Sequence, residues 1–221
     1  MRSALAFLTP LGGARAPSPA ALPWFPVVGA LIGLLVGLVW WAGTGIWTPV
    51  VGAALAVVAD LALTGMLHVD GLADSADGLL PHHRSVERRL EVMAQPDVGA
   101  YGIAVTAGVL LVRFAALSSM HPRPLVCALV WGATRGAAAV VIPRVRYARS
   151  FGLPSAFAGA SSTVVLIVTF AVALSVPSAV ALLTALAVIA LGVRRVGGYT
   201  GDILGAAIVV GETIGLLVAA A

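Results

Sequence analysis

The stretch His68-Val-Asp-Gly-Leu-Ala-Asp-Ser-Ala-Asp-Gly78 lies between long apolar runs and carries three of the chain's six aspartates. If it is helical, Asp70, Asp74 and Asp77 occupy positions i, i+4 and i+7 and fall within about 60° of one another around the axis. Three carboxylates on one face repel each other unless a cation lies between them. Oxygen-only ligands suit Mg²⁺, Mn²⁺ or Ca²⁺ rather than Zn²⁺. The stretch therefore predicts a divalent-cation site, and the alternative is an acidic, solvated loop.

The composition around this stretch is that of a membrane protein. Of 221 residues, 60% are hydrophobic and 10% are charged, whereas a soluble domain carries about 25% charged residues. We predict an all-α, polytopic integral membrane helical bundle in a single domain, residues 1–221. All 13 basic residues are arginines, which we expect at the bilayer surface and not on a nucleic-acid-binding face. The single cysteine, Cys127, argues against a thiolate metal site.

The apolar runs predict about seven transmembrane helices. They cover residues 22–42, 48–67, 99–119, 125–142 and 203–221, with two more between 163 and 193 that are divided near Pro177. In the first span, glycines at four-residue spacing predict a face for close helix packing, with plain tolerance of glycine as the alternative. Residues 85–93 predict an amphipathic helix on the membrane surface, with Ser85 as N-cap.

The arginines predict the orientation of the bundle. With the N-terminus in the cytoplasm, ten arginines lie on the cytoplasmic side, Arg123 alone lies on the other, and two lie within spans. The ten are Arg2, Arg15, Arg84, Arg88, Arg89, Arg144, Arg146, Arg149, Arg194 and Arg195. This orientation places the acidic stretch on the cytoplasmic face, together with the polar segments 143–162 and 194–202.

Further polar groups on that face are candidates for the same site. Asp97 is a possible fourth carboxylate, or it caps the third span. In the glycine turn 197–202, backbone N–H groups around Gly201 are suited to a phosphate oxygen, with Asp202 reaching the metal; a plain capping turn is the alternative. His68 is a candidate general base or an outer partner of the metal, or it has a structural role.

The segment 144–149 holds three arginines whose guanidinium forks match phosphate oxygens, although anchoring at the membrane surface accounts for some of them. Carboxylates that bind a metal, next to arginines, suit chemistry on a pyrophosphate. The residues thus indicate a membrane phosphotransferase, without naming the alcohol or the leaving group.

Two arginines fall within the apolar spans. Arg135 is about two turns inside the fourth span and predicts a buried carboxylate partner, either Asp60 or Glu212. Arg113 is nearer the outer face and is expected to extend its charge to the bilayer surface.

The acidic stretch closely resembles the signature of the cobalamin synthase family, the adenosylcobinamide-GDP ribazoletransferases. The resemblance continues, in the family's order, through 90–93, 134–136, 146–149 and 200–206. It implies a bacterial inner-membrane enzyme with its active site on the cytoplasmic face. The implied reaction joins adenosylcobinamide-GDP to α-ribazole, or to its 5′-phosphate, releases GMP and requires Mg²⁺, with Mn²⁺ as a substitute. It also allows a homo-oligomer, or association with other cobalamin-assembly enzymes.

The resemblance also implies roles for the candidate residues. The metal and the cobinamide-side phosphate are assigned to Asp70, Asp74 and Asp77, with Asp97 and Asp202 completing the metal site. The substrate diphosphate is assigned to Arg135, Arg146, Arg149 and Gly201. His68 positions or deprotonates the 5′-hydroxyl of ribazole.

Two other functions are alternatives for this sequence. A CDP-alcohol phosphatidyltransferase has a related acidic signature, but its arginine and its downstream Gly-x-x-x-Asp-x-x-x-Asp are missing here. An ion-coupled transporter would use Asp60, Arg135 and Glu212 as a midplane relay. The clustering of acids at one face and the lack of an internal repeat count against it.

Overall fold

The computed structural model describes residues 1–13, 18–82, 85–149, 157 and 162–221, and within these ranges the chain is helical without strands. The helices are α1 (Arg2–Leu8), α2 (Phe25–Ile46), α3 (Pro49–Thr64), α4 (Leu67–Leu79), α5 (Val86–Val92), α6 (Ala100–Ser119), α7 (Pro124–Val141), α8 (Ser162–Val172), α9 (Val176–Val196) and α10 (Gly201–Ala220). The chain is a polytopic membrane helical bundle, as its composition predicted.

The described part of the chain has fewer helices of full spanning length than the seven predicted. Five helices in the described part of the chain are long and apolar enough to cross a membrane: Pro19–Ile46, Ala100–Ser119, Pro124–Val141, Val176–Val196 and Gly201–Ala220. The two other predicted spans form α3, with 16 residues, and α8, with 11. At 1.5 Å per residue these helices are about 24 Å and about 17 Å long, short of a hydrocarbon core of about 30 Å. A sixth span results only if α3 and α4, bent by 90°, are counted together.

The bend between α3 and α4 has a local cause. Gly65 and Met66 both have a φ of +59°, and two successive left-handed residues cannot continue a right-handed helix. After the bend, α4 packs against the beginning of α10. A Cβ on Gly71 would lie 2.9 Å from the carbonyl oxygen of Asp202, and one on Gly205 would lie 3.1 Å from that of His68. The glycines allow this close contact, which brings the acidic stretch to the start of α10.

The glycine face of the first span is confirmed. A Cβ on Gly29 would lie 2.6 Å from the carbonyl oxygen of Trp131, and one on Gly37 would lie 2.5 Å from Cα of Pro124. Between them, Gly33 packs against the backbone of Cys127. α2 therefore runs antiparallel to α7 at backbone-to-backbone distance, and the start of α2 lies beside the end of α7.

We expect Gly33→Ala to lower the free energy of unfolding by about 1–3 kcal/mol, because the new methyl group overlaps the backbone of α7. Gly45→Ala is the matched control, since a Cβ there meets nothing within 4 Å. Thermal unfolding in detergent measures both variants. Equal midpoints for the two would contradict close packing of α2 on α7.

The polar segments meet at one end of the bundle, as the arginine count predicted. Arg149, after α7, bonds Asp202 at the start of α10 with 2.7 Å between Nη2 and Oδ2. Asp77 on α4 bonds the start of α6. Arg15 and Arg84, which belong to the count, lie outside the described residues.

Two further predictions about helix ends are confirmed. The Ser85 hydroxyl accepts the Arg88 N–H at 3.2 Å and caps α5, which packs on α4 through the buried side chain of Met93 against Gly78. Pro177 lies in the first turn of α9, which begins with a capping box at Ser175. Whether α5 also rests on the membrane surface stays a prediction.

Candidate active site at one end of the bundle

The acidic stretch forms one helical face, as its spacing predicted. Asp70 is exposed, and Asp74 and Asp77 are half-buried. The charge of Asp74 interacts with those of Asp70 and Asp77 on α4 and with that of Asp202 at the start of α10. A partly buried group of like charges favours a cation nearby, because the repulsion among the carboxylates is weakly screened by solvent.

Asp202 is held in place by a clamp between two polar segments. The Tyr199 N–H donates to the Arg146 carbonyl at 3.0 Å, and the Ala148 N–H donates to the Tyr199 carbonyl at 2.9 Å. Gly198 makes this possible, because a Cβ there would lie 2.6 Å from the Arg146 carbonyl oxygen. These two hydrogen bonds place Arg149 next to Asp202. One of the arginines predicted to bind the substrate diphosphate therefore lies beside the carboxylates.

The two tyrosines of the clamp pack edge to face, with 5.2 Å between the ring centroids of Tyr147 and Tyr199. The pKa of Tyr199 is raised to about 12, mainly because the phenol is buried and to a lesser extent because Tyr147 is its neighbour. Its phenol is therefore protonated at neutral pH and is not a candidate base.

The side chain of Arg146 has a structural contact. Its Nε donates to the Gly197 carbonyl at 2.8 Å, at the C-terminal end of α9. A cation is favourable there because the last carbonyls of a helix carry partial negative charge. The predicted contact of Arg146 with the substrate diphosphate stays a prediction.

Asp77 caps α6. Its Oδ2 accepts the Gly99 N–H at 2.7 Å and its Oδ1 accepts the Gly102 N–H at 2.9 Å. The expectation that Asp97 caps this helix is wrong, since Asp97 is exposed and α6 has no side-chain cap from its own N-terminal turn. Asp77 is aligned with the other aspartates, and capping already uses both of its oxygens. Metal roles for Asp77 and Asp97 stay predictions.

We expect Asp77→Ala to lower the free energy of unfolding by about 0.5–2 kcal/mol, the usual cost of losing an N-cap. Asp77→Asn keeps an acceptor oxygen and should lose less. Unfolding midpoints in detergent distinguish the two variants. If alanine and asparagine are equally destabilising, the capping bonds do not contribute as described.

A cavity of about 230 Å³ opens beside the carboxylates, between α1, α2, α4, α7 and α10. Asp70, Asp202, His68 and Gly201 line its polar part, and the rest of the lining is mostly apolar. Gly201 is exposed, and a Cβ there would meet nothing within 4 Å. The start of α10 is therefore open, and the role of Gly201 in binding the substrate diphosphate stays a prediction.

His68 is joined to this cavity although it leaves the helix axis in a different direction from the aspartates. It is buried, and its Nδ1 has no hydrogen-bond partner in the described part of the chain. A buried imidazole nitrogen without a partner is costly, so it indicates a group that a ligand or water would satisfy. Its roles as base or positioning group stay predictions.

Arg135 has the carboxylate partner that its depth in the membrane predicted. It is fully buried and bonds Glu212 through Nη1. Its Nε and Nη2 have no partner among the described residues. Arg135 interacts electrostatically with His68 but does not line the cavity, so its contact with the diphosphate stays a prediction.

The expectation for Arg113 is wrong. Instead of extending to the bilayer surface, its side chain is 1% exposed and bonds Asp60 at 2.5 Å and Glu212 at 2.8 Å. The indole N–H of Trp131 donates to the other oxygen of Asp60 at 2.9 Å. The predicted apolar spans contain two acids, Asp60 and Glu212, and two arginines. This equal number was the signal from which the burial of Arg113 in an ion-pair network could have been predicted.

The carboxylates fit a magnesium ion by their chemistry. In the described ranges no three His, Cys, Asp or Glu side chains converge closely enough to hold a metal by themselves. Mg²⁺, however, is usually bound by one or two carboxylates together with waters and substrate phosphates. Asp70 and Asp202 offer such oxygens at the cavity, and Asp74 on α4 is close enough to interact with both charges.

Comparisons with known proteins agree with one another. The family profile described as Cobalamin-5-phosphate synthase matches residues 1–220. The adenosylcobinamide-GDP ribazoletransferase of Bradyrhizobium diazoefficiens is 36% identical over 242 aligned positions, covering 100% of this chain and 93% of that protein. Those of Citrobacter koseri and Chlorobaculum tepidum are 39% and 34% identical, covering 87% and 85% of this chain and 84% and 80% of the relatives. No solved structure shows a significant match. The chain belongs to the cobalamin-5-phosphate synthase family.

Proposed function

We propose that this chain transfers the adenosylcobinamide phosphate group from adenosylcobinamide-GDP to α-ribazole, or to its 5′-phosphate, with release of GMP. The family match over nearly the whole chain and the ribazoletransferase activity for which the relatives are named support this reaction. One structural observation carries it: Asp70, Asp202 and His68 line one cavity at the end of the bundle where Arg149 lies.

In the proposed reaction a ribose hydroxyl of the acceptor attacks the phosphorus nearest cobinamide. A phosphorus–oxygen bond forms, and the bond from that phosphorus to the bridging oxygen breaks. GMP leaves with the bridging oxygen, and the hydroxyl proton passes to a base, for which His68 is our candidate. The attacking group is better assigned to a secondary ribose hydroxyl than to the 5′-hydroxyl predicted above. The family description names a 5-phosphate product, in which the 5′-oxygen is already esterified.

We assign Asp70, Asp74 and Asp202 to a Mg²⁺ ion, for which Mn²⁺ could substitute. When bound, such an ion neutralises the charge of the diphosphate oxygens. Arg149 is positioned by Asp202, and its guanidinium is suited to the non-bridging phosphate oxygens. Contacts from Arg135 and Arg146 remain part of the proposal, at lower priority, because both side chains already bond protein groups.

We place the active site on the cytoplasmic face of the bacterial inner membrane. The support is the excess of arginines at the end of the bundle that carries the acidic stretch. Self-association and association with other cobalamin-assembly enzymes are further proposals.

The comparisons do not favour the two alternatives. The midplane groups that a transporter would use are engaged in ion pairs, because Arg113 bonds both Asp60 and Glu212. A relay needs groups that exchange protons or ions. Here the buried acids are paired with arginines of opposite charge, which does not suit that role.

The proposed function is tested with purified protein in liposomes, supplied with adenosylcobinamide-GDP, α-ribazole and Mg²⁺. We expect GMP and cobalamin in equal amounts. Chelation of the metal should stop the reaction and added Mg²⁺ should restore it. α-Ribazole 5′-phosphate should also be an acceptor if a secondary hydroxyl attacks. A folded wild-type protein that yields no GMP would refute the proposal.

A further inference from the structure

The cavity of about 230 Å³ beside the carboxylates divides into two regions of different chemistry. The exposed lining residues, Asp70, Gly201 and Leu67, mark its mouth, and Asp70 lies there with the carboxylate of Asp202. Phe25, Leu8 and Ile208, each at most 2% exposed, form its buried part. A ligand that fits must therefore be apolar at one end and polar at the end next to the carboxylates.

Packed aromatic side chains form one side of the buried part of the cavity. Phe7 and Phe25 stack with 5.3 Å between ring centroids, and Phe157 packs edge-on against both, at 5.7 Å and 6.2 Å. Phe7 and Phe25 both line the cavity. Such a cluster suits a flat aromatic ligand, because ring pairs add attraction beyond the burial of area.

The reactants proposed above offer three bulky groups, and two of them do not fit. A corrin macrocycle is far larger than the cavity, whose volume is below the range of pockets that enclose even drug-sized ligands. Guanine has donors and acceptors along its edge, and burying them against Phe25 and Ile208 would leave them without hydrogen bonds, at a cost for each group. The third group is the base of ribazole, a methyl-substituted benzimidazole, which is aromatic and largely apolar.

We infer that this cavity is the binding site of the acceptor nucleoside and that Phe7, Phe25, Leu8 and Ala138 determine its specificity for an apolar, bicyclic base. The inference rests on the proposed function. With the base in the buried part, the ribose lies at the mouth beside Asp70 and Asp202, where a hydroxyl must be for the transfer. His68 then has a ligand group for its otherwise unsatisfied Nδ1.

The test fills the cavity without touching the polar groups. Ala138 lines it, is 2% exposed and lies on α7. We expect Ala138→Leu to raise the KM for α-ribazole by about tenfold or more and to leave the KM for adenosylcobinamide-GDP unchanged. The matched control is Ala206→Leu. Ala206 is 4% exposed and lines a separate apolar groove of about 210 Å³ between α4, α6, α9 and α10, so neither KM should change.

A second variant keeps the inference testable if Ala138→Leu does not fold. Ile208→Phe fills the same cavity from α10 and should have the same effect as Ala138→Leu. Binding of α-ribazole alone, measured by equilibrium dialysis on the proteoliposomes, should weaken in both variants and not in Ala206→Leu. A raised KM for adenosylcobinamide-GDP instead, or no change in either KM, would overturn the inference. A wild type without transfer activity would refute the proposed function instead.

Discussion

Asp74→Asn is expected to lower kcat for GMP release by about 100-fold or more, the range seen when a preorganised electrostatic contact is lost. The carboxylate of Asp74 lies among the like charges of Asp70, Asp77 and Asp202. A bound cation would reduce the repulsion among these four carboxylates. Asparagine keeps the shape of the side chain and removes its charge, so the affinity for Mg²⁺ should fall together with the rate.

This variant separates loss of function from loss of fold. Because asparagine relieves repulsion among neighbouring carboxylates, the unfolding midpoint of Asp74→Asn should not fall. Glu87→Gln is the matched control, since Glu87 is exposed on α5, and it should retain activity. Rates are measured over a series of Mg²⁺ concentrations. Full activity of Asp74→Asn, with unchanged dependence on Mg²⁺, would remove Asp74 from the proposed metal site.

Glu212→Gln is expected to destabilise the bundle by about 3–5 kcal/mol, the cost of breaking a buried ion pair from one side. Glu212 is 1% exposed and bonds both Arg113 and Arg135. Once the charge of Glu212 is removed, Asp60 is the one remaining carboxylate among the described residues that interacts with both buried guanidinium groups. The loss should appear as a lower midpoint of thermal unfolding in detergent.

The control for this prediction has the same chemistry at the surface. Glu91 pairs with Arg88 at 3.1 Å, and both side chains are more than half exposed. Glu91→Gln should therefore change stability by less than about 1 kcal/mol. Combining Glu212→Gln with Arg135→Met restores the charge balance and should recover part of the loss. If Glu212→Gln is no more destabilising than Glu91→Gln, the buried network does not support the fold.

Features that depend on local periodicity could be predicted from the sequence. The aspartates of 68–78 share a helix face because their spacing matches the helical repeat. The glycines of α2 face α7 because small residues are what close helix packing requires. The carboxylate partner of Arg135 could be predicted because a buried charge must be paired.

Features that depend on where an apolar run bends or which neighbour it meets could not be predicted in this way. Hydropathy continues through Gly65 and Met66, so the predicted span 48–67 ran over the 90° turn that separates α3 from α4. Asp77 caps α6 from 22 residues away, and no local pattern specifies which of several carboxylates reaches a given helix end. The partners of Arg113 could not be predicted for the same reason, because they are 53 and 99 residues away along the chain.

By itself, the sequence determined the class of the protein, the helical face of the acidic stretch and the resemblance to its family, because these rest on composition, spacing and motif. Only the tertiary structure decided that Asp202 and His68 share a cavity with Asp70, and that Phe7 and Phe25 form part of its wall. These residues come from four helices, and their proximity results from glycine contacts and a left-handed bend. Contacts between distant segments depend on how whole helices pack, and the spacing of residues along one helix does not encode that.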